Sequence, residues 1–173
     1  MGDIGVSAGS EISAARQMAA RLAGMTDIRD VRLMRSCAEV MRLPIANPFL
    51  AYNLDFESAV EYEPGGESFV VRGTYRLSIT SASTAEAKNA PPQSDDPVAK
   101  IEFEQAALFV IDMEGQEPPK AEELNAYAVS TGQFALYPYV REYISDITSR
   151  LGLPPLTVGV LRMPIANSEQ DRK

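Results

Sequence analysis

The chemistry open to this chain is set first by Asp95-Asp96, Glu122-Glu123 and the single thiol, Cys37. General acid–base work needs two carboxylates facing one substrate, and adjacent residues on a helix point to different sides. Asp95-Asp96 falls in a polar, proline-containing link. Glu122-Glu123 opens a short helix, where acids complement the helix dipole, so neither pair makes a catalytic dyad. The 173 residues include no histidine, which excludes a Ser-His-Asp triad, a Cys-His pair and any histidine metal ligand. One cysteine excludes an internal disulfide and a CxxC redox or zinc site. No DxDxDG, GxxxxGK[ST] or GxGxxG pattern occurs, so no calcium, nucleotide-phosphate or dinucleotide loop is expected. Cys37 falls on the more apolar parity of its segment and reads as a buried structural thiol. The expectation is a protein with no metal, no cofactor and no catalytic residue.

What the chain does have in surplus is aromatic. It carries 7 Tyr and 6 Phe, and Phe134, Tyr137, Tyr139 and Tyr143 crowd into residues 134–143. On a helix Tyr139 and Tyr143 share a face that Tyr137 does not. Most of these rings pack in the core, and the remainder point to an apolar surface offered to another chain. The formal charge of −8 argues against binding nucleic acid. That charge is local, since residues 43–125 hold 15 acids and 5 bases. Asp55, Glu57, Glu61, Glu102, Glu104 and Asp112 lie on the polar parity of their segments. They read as an outward acidic face that keeps an assembly soluble, with Asp55, Glu57, Glu61, Glu102 and Glu104 as candidates for a docking face. The longest apolar run is the six residues Ala106–Ile111, too short to insert in a membrane. The beginning MGDIGVSAGSEISAA lacks the basic and apolar regions of a secretory signal. With its lone thiol, the chain is expected to be cytoplasmic.

The elements that position these residues follow from periodicity. Residues 10–25 predict a helix begun at Ser10 and ended at Gly24, whose Ile12, Ala15, Ala19 and Leu22 face is mostly alanine and suits a docking arm. Residues 28–42 predict a strand, and LPIANPF a crossing loop. Residues 50–62, 68–80 and 98–113 alternate apolar and polar side chains at period two, the pattern of long antiparallel strands with one face buried. Residues 82–97 read as a mobile hairpin loop. A short helix after Pro118-Pro119 is expected to end near Gly132. The main helix then runs from Phe134 to a C′ glycine, Gly152, with Val140, Ile144, Ile147 and Leu151 as its apolar stripe. The fold class is α+β: a long four-stranded antiparallel sheet with helices on one face and an extra N-terminal helix.

The segment FALYPYVREYISDITSRLGLPPLTVGVL resembles the signature of SecB-type chaperones, a Y-P-Y-x-R-E core, a helical stretch ending in Arg, then P-P-L. The matching residues are Tyr137, Pro138, Tyr139, Arg141, Glu142, Arg150, Pro154, Pro155 and Leu156. The resemblance covers roughly residues 28–160. It implies a chain organised as an N-terminal arm (1–27), a SecB-like chaperone domain (28–160) and a flexible tail (161–173). It also implies an ATP-independent chaperone, a dimer of dimers, that holds unfolded polypeptide in apolar grooves. Ile45, Phe49, Tyr52 and Leu54 would come from the crossing loop and second strand. Leu136, Tyr137, Val140, Tyr143, Leu153 and Leu156 would supply the helical wall. Export-dedicated members continue past P-P-L into an N-F-D-A-type stretch, a final helix and an acidic tail. Here LRMPIANSEQDRK follows instead, closer to the SecB-like chaperones of toxin–antitoxin modules, which bind an antitoxin. Two alternatives stay open: delivery of preproteins to the Sec translocation ATPase, and a small-ligand binder or enzyme on an α+β scaffold.

Overall fold

The computed structural model describes residues 5–42, 50–81 and 97–161, with side chains from residue 14 onward. The chain orders as α1 (Gly5–Ala23), β1 (Thr26–Val40), β2 (Leu50–Tyr62), β3 (Ser68–Ser81), β4 (Ala99–Ile111), α2 (Ala121–Tyr127), one π-helical turn (Ala128–Gly132) and α3 (Gln133–Arg150). The strands form one antiparallel sheet in the order β1-β4-β3-β2. β1 and β2 are therefore opposite edges. Residues 43–49, which join them, lie outside the described residues, as do the expected hairpin loop from 82 to 96 and the tail from 162.

The period-two pattern holds along β2, β3 and β4. Apart from the buried Thr80 and Ala106, Phe69, Val71, Tyr75, Leu77 and Ile79 alternate with exposed or half-buried neighbours on β3, and Ile101, Phe103, Ala107, Phe109 and Ile111 do so on β4. All helices cover that one apolar face. The core is in two parts. At one end, α1 and α2 cover Phe69, Val71, Phe109 and Ile111. There the edge of Tyr127 meets the stacked rings of Phe69 and Phe109, at centroid distances of 5.1 and 5.2 Å. At the other end, α3 and the chain that follows it cover Tyr75, Leu77, Ile79, Ile101 and Phe103.

Three local expectations change. The first helix begins at Gly5 rather than Ser10, and the face read as a docking arm packs on the chain's own sheet: Ala19 and Leu22 are fully buried in the first core. Arg21 ties it to α2, donating from Nε and Nη2 to the two Glu123 carboxylate oxygens at 2.9 and 2.7 Å, and from Nη1 to the Glu117 carbonyl at 3.1 Å. Gly132 does not end a helix. It has helical φ (−62°), and the chain passes from α2 through the π turn straight into α3. A Cβ at Gly132 would sit 3.0 Å from both methyls of Val71, so the glycine lets this turn press against β3. At the far end Gly152 (φ +73°) does stop α3 as expected. Its N–H donates to Ser149 and that of Leu153 to Thr148, both at 3.0 Å, a Schellman closure.

The third change is in β1. Its pairing with β4 slips at Ile28/Asp30 and again at Leu33/Arg35, so it contains two bulges. Each inserted residue reverses which face the following side chains occupy. Val31 and Leu33 oppose Ala107 and Gln105 on the helix side, but past the second bulge Cys37 opposes Glu102 on the outer face. The expected buried thiol is exposed.

Candidate functional site

Beyond Gly152 the chain turns back and runs antiparallel to α3, filling the space between that helix and edge strand β2. The hydrogen bonds fix this course. The Leu156 N–H donates to Thr148 Oγ1 at 3.0 Å, Arg141 Nε donates to the Val158 carbonyl at 3.1 Å, and the Tyr137 hydroxyl donates to the Gly159 carbonyl at 2.6 Å. From the sheet side, the Gly159 N–H donates to the Tyr52 hydroxyl at 2.9 Å. Thr148 can serve because its hydroxyl already anchors to the Ile144 carbonyl within α3, at 2.8 Å. Burial pushes the Tyr137 phenol above its ordinary pKa, Tyr52 adds to the rise and Arg141 opposes it. Tyr137 thus stays a hydroxyl donor across the neutral range.

The sequence candidates sort into distinct places. Tyr52, Leu54, Tyr137 and Leu156 are half-buried and pack against the second core along the β2 flank of α3. Leu136, Val140 and Leu153 act as core: the first two are fully buried and Leu153 nearly so, Val140 and Leu153 in the second core and Leu136 in the first. Tyr143 belongs to the opposite flank of α3. Its hydroxyl bonds Ser36 of β1, and with Leu33 and Tyr139 it lines a cleft against that strand. Ile45 and Phe49 lie outside the described residues. Val158 and Gly159 were not singled out from sequence, and Arg141 only as a signature residue, because nothing local to them signals that the chain folds back.

The acids sit where alternation placed them, on the outer face of the sheet, but they are not free. Arg72 bridges Glu61 and Glu104 at 2.6 and 2.7 Å, Arg76 pairs with Glu57 at 2.8 Å, and Arg35 pairs with Glu102 at 2.5 Å. Asp55 accepts from Asn53 and stands opposite Arg76 in the β2–β3 register. The face is a lattice of cross-strand ion pairs rather than an acidic patch. Among the described residues, no group of three or more Cys, Asp and Glu could hold a metal ion, and no helix is long and apolar enough to cross a membrane.

No protein-family model matches the chain. A comparison with known proteins is decisive, however: the SecB-like chaperone Rv1957 of Mycobacterium tuberculosis strain H37Rv is 45% identical over 154 residues, 87% of this chain and 85% of the relative. The chain belongs to the SecB-like chaperone family. The SecB-like chaperone MT2006 of M. tuberculosis strain CDC 1551 is 46% identical over the same length. The protein-export protein SecB of Verminephrobacter eiseniae is 29% identical over 107 residues, 62% of this chain. Among solved structures, Rv1957 in complex with a ChAD peptide from the HigA1 antitoxin aligns at a TM-score of 0.76 and 43% identity, covering 87% of this chain and 99% of that one. This SecB-like chaperone shares that relative's sheet and helices; a cleft of mixed polar and apolar lining flanks α3 on the β1 side, and the returning chain fills the β2 side.

Proposed function

We propose that this SecB-like chaperone holds an extended, aggregation-prone segment of an antitoxin along the apolar channel between β2 and α3, without nucleotide or cofactor. The observation that carries the reading is the relative of the same fold whose solved structure contains an antitoxin peptide. The channel's half-buried Tyr52, Leu54 and Tyr137 suit that role. A single such side chain contributes about 1.5–3 kcal/mol on burial, less than the roughly 4 kcal/mol or more that association costs. Holding a client therefore takes several contacts, best repeated around an oligomer. Edge strand β1, with Ile28, Leu33 and Met34 exposed and Met41 exposed just past its end, suits self-association into the dimer of dimers expected of the family. The site of action we assign is the cytoplasm.

The paired state of Glu57, Glu61, Glu102 and Glu104 supports the antitoxin reading over docking to an export ATPase, since cross-strand arginines already satisfy these acids. The test is titration with the HigA1-derived peptide. The wild-type chain is expected to bind it, and Leu54→Asp, outside the hydrogen bonds of residues 153–161, to bind roughly tenfold more weakly, the loss of one apolar contact. A folded Leu54→Asp variant with wild-type affinity would remove this channel from the reading.

A further inference from the structure

In this structure the channel between β2 and α3 already holds a strand, and that strand is part of the chain itself. Residues 156–161 lie in it without joining the sheet or a helix. Their contacts are those a binding site makes with a generic peptide. Tyr52, Tyr137 and Arg141 all engage main-chain atoms: the N–H and C=O of Gly159 and the C=O of Val158. One side chain, Val158, points inward and is 1% exposed, while Thr157 and Gly159 on either side are exposed. A Cβ at position 159 would meet only the Tyr52 hydroxyl, at 3.8 Å, an ordinary contact. The clamp therefore does not require glycine. It reads backbone and one apolar anchor, and it tolerates whatever side chain follows.

We propose that Tyr52, Tyr137 and Arg141 form a main-chain clamp for extended polypeptide, and that residues 156–161 fill it until a client strand takes their place. The inference rests on the chaperone reading above and specifies how the channel is occupied. Sequence-tolerant recognition follows, because every peptide offers an N–H and two carbonyls with this spacing. So does selectivity for non-native chains, because in folded proteins those groups are committed to secondary structure. The tethered segment competes at a high effective concentration. A client displaces it by presenting an apolar anchor of its own and by engaging further apolar sites at once. The apparent affinity is lowered by the fraction of time the clamp is filled, as for any site whose competent state is partly populated.

Val158→Asp in the full chain tests this, since it weakens the tethered segment and leaves the three clamp residues intact. Binding of reduced, carboxymethylated lactalbumin, a permanently unfolded probe, is followed by fluorescence anisotropy. The variant is expected to bind about tenfold more tightly than wild type. Equal or weaker binding by a variant with wild-type circular dichroism and melting would show that the segment is a fixed wall, and would overturn the exchange. Hydrogen exchange on the wild-type chain needs no variant. Saturating probe should speed exchange in residues 156–161 while α3 stays protected, whereas slowed or unchanged exchange there refutes displacement. Failure of the wild-type chain to bind any unfolded probe would overturn the chaperone reading itself. Binding with Val158→Asp unaltered would overturn only the exchange.

Discussion

Gly73 lies midway along β3, opposite Ser58 on β2 and Gln105 on β4, where the two halves of the core meet. A Cβ built there would sit 2.4 Å from the hydroxyl oxygen of Tyr75 and 2.7 Å from two of its ring carbons. Tyr75 is fully buried and stacked on Phe103 at a centroid distance of 5.0 Å, so the ring has nowhere to move. Its hydroxyl donates to Gln133 Oε1 at 2.9 Å, the bond that pins the first residue of α3 to the sheet. Gly73→Ala should therefore overpack the site, at a cost of about 1–3 kcal/mol. It should also break the Tyr75–Gln133 bond, leaving buried polar groups unpaired at about 1–3 kcal/mol more. Removing a glycine restricts the unfolded chain and returns about 0.4–1 kcal/mol. The net loss is about 2–5 kcal/mol, a large part of the roughly 5–15 kcal/mol that holds a domain folded. Urea unfolding at fixed protein concentration measures it. The double variant Gly73→Ala/Tyr75→Phe, lacking the oxygen nearest the new methyl, should cost at least about 1 kcal/mol less than the two single changes added together. A Gly73→Ala chain within about 0.5 kcal/mol of wild type, or strict additivity, would refute the argument that this glycine is the slot for Tyr75.

The remaining expectations concern α1 and the outer face. The bidentate Arg21 guanidinium, helped by the Lys120 N–H, holds the Glu123 carboxyl down to about 2, against an ordinary value of 4.5. A depressed folded-state pKa contributes stability that is present above 4.5 and lost as the pH falls from there toward 2. With Arg21 partly exposed, solvent screening limits the contribution to about 1–2 kcal/mol. Glu123→Gln should flatten the pH dependence of urea stability in that window, and an unchanged slope would show that the α1–α2 staple contributes nothing. Cys37, carried to the outer face by the second bulge, should react with a thiol reagent in the native protein at a rate near that of the urea-unfolded chain. A thiol that reacts only on unfolding would contradict the β1–β4 register.

Much of the sheet was readable from alternation alone, because a strand with one buried face writes its burial into every second residue. The same rule misplaced Cys37, since alternation assumes an unbroken register and β1 breaks it twice. Gly132 was read as a stop because glycine often follows a helix. Its use here is close approach to Val71, visible only once α2, the π turn and α3 lie on β3. The helical residues named from the sequence were not separated by depth. The apolar stripe does not say which of Leu136, Tyr137 and Val140 faces the core and which borders a channel, because that depends on what packs beside α3.

The sequence by itself determined the strands, the C′ glycine, the signature that places the chain among SecB-like chaperones, and the absence of any histidine-based chemistry, since each is written in local pattern or composition. Three things were decided by tertiary structure alone: which arginine neutralises which acid across the sheet, which flank of α3 each tyrosine joins, and that residues 156–161 return to fill the channel. These depend on pairs separated widely in sequence, such as Tyr52 with Gly159 or Arg72 with Glu104. No local pattern encodes such pairs. They exist only after burial of the common apolar face has set the register between elements.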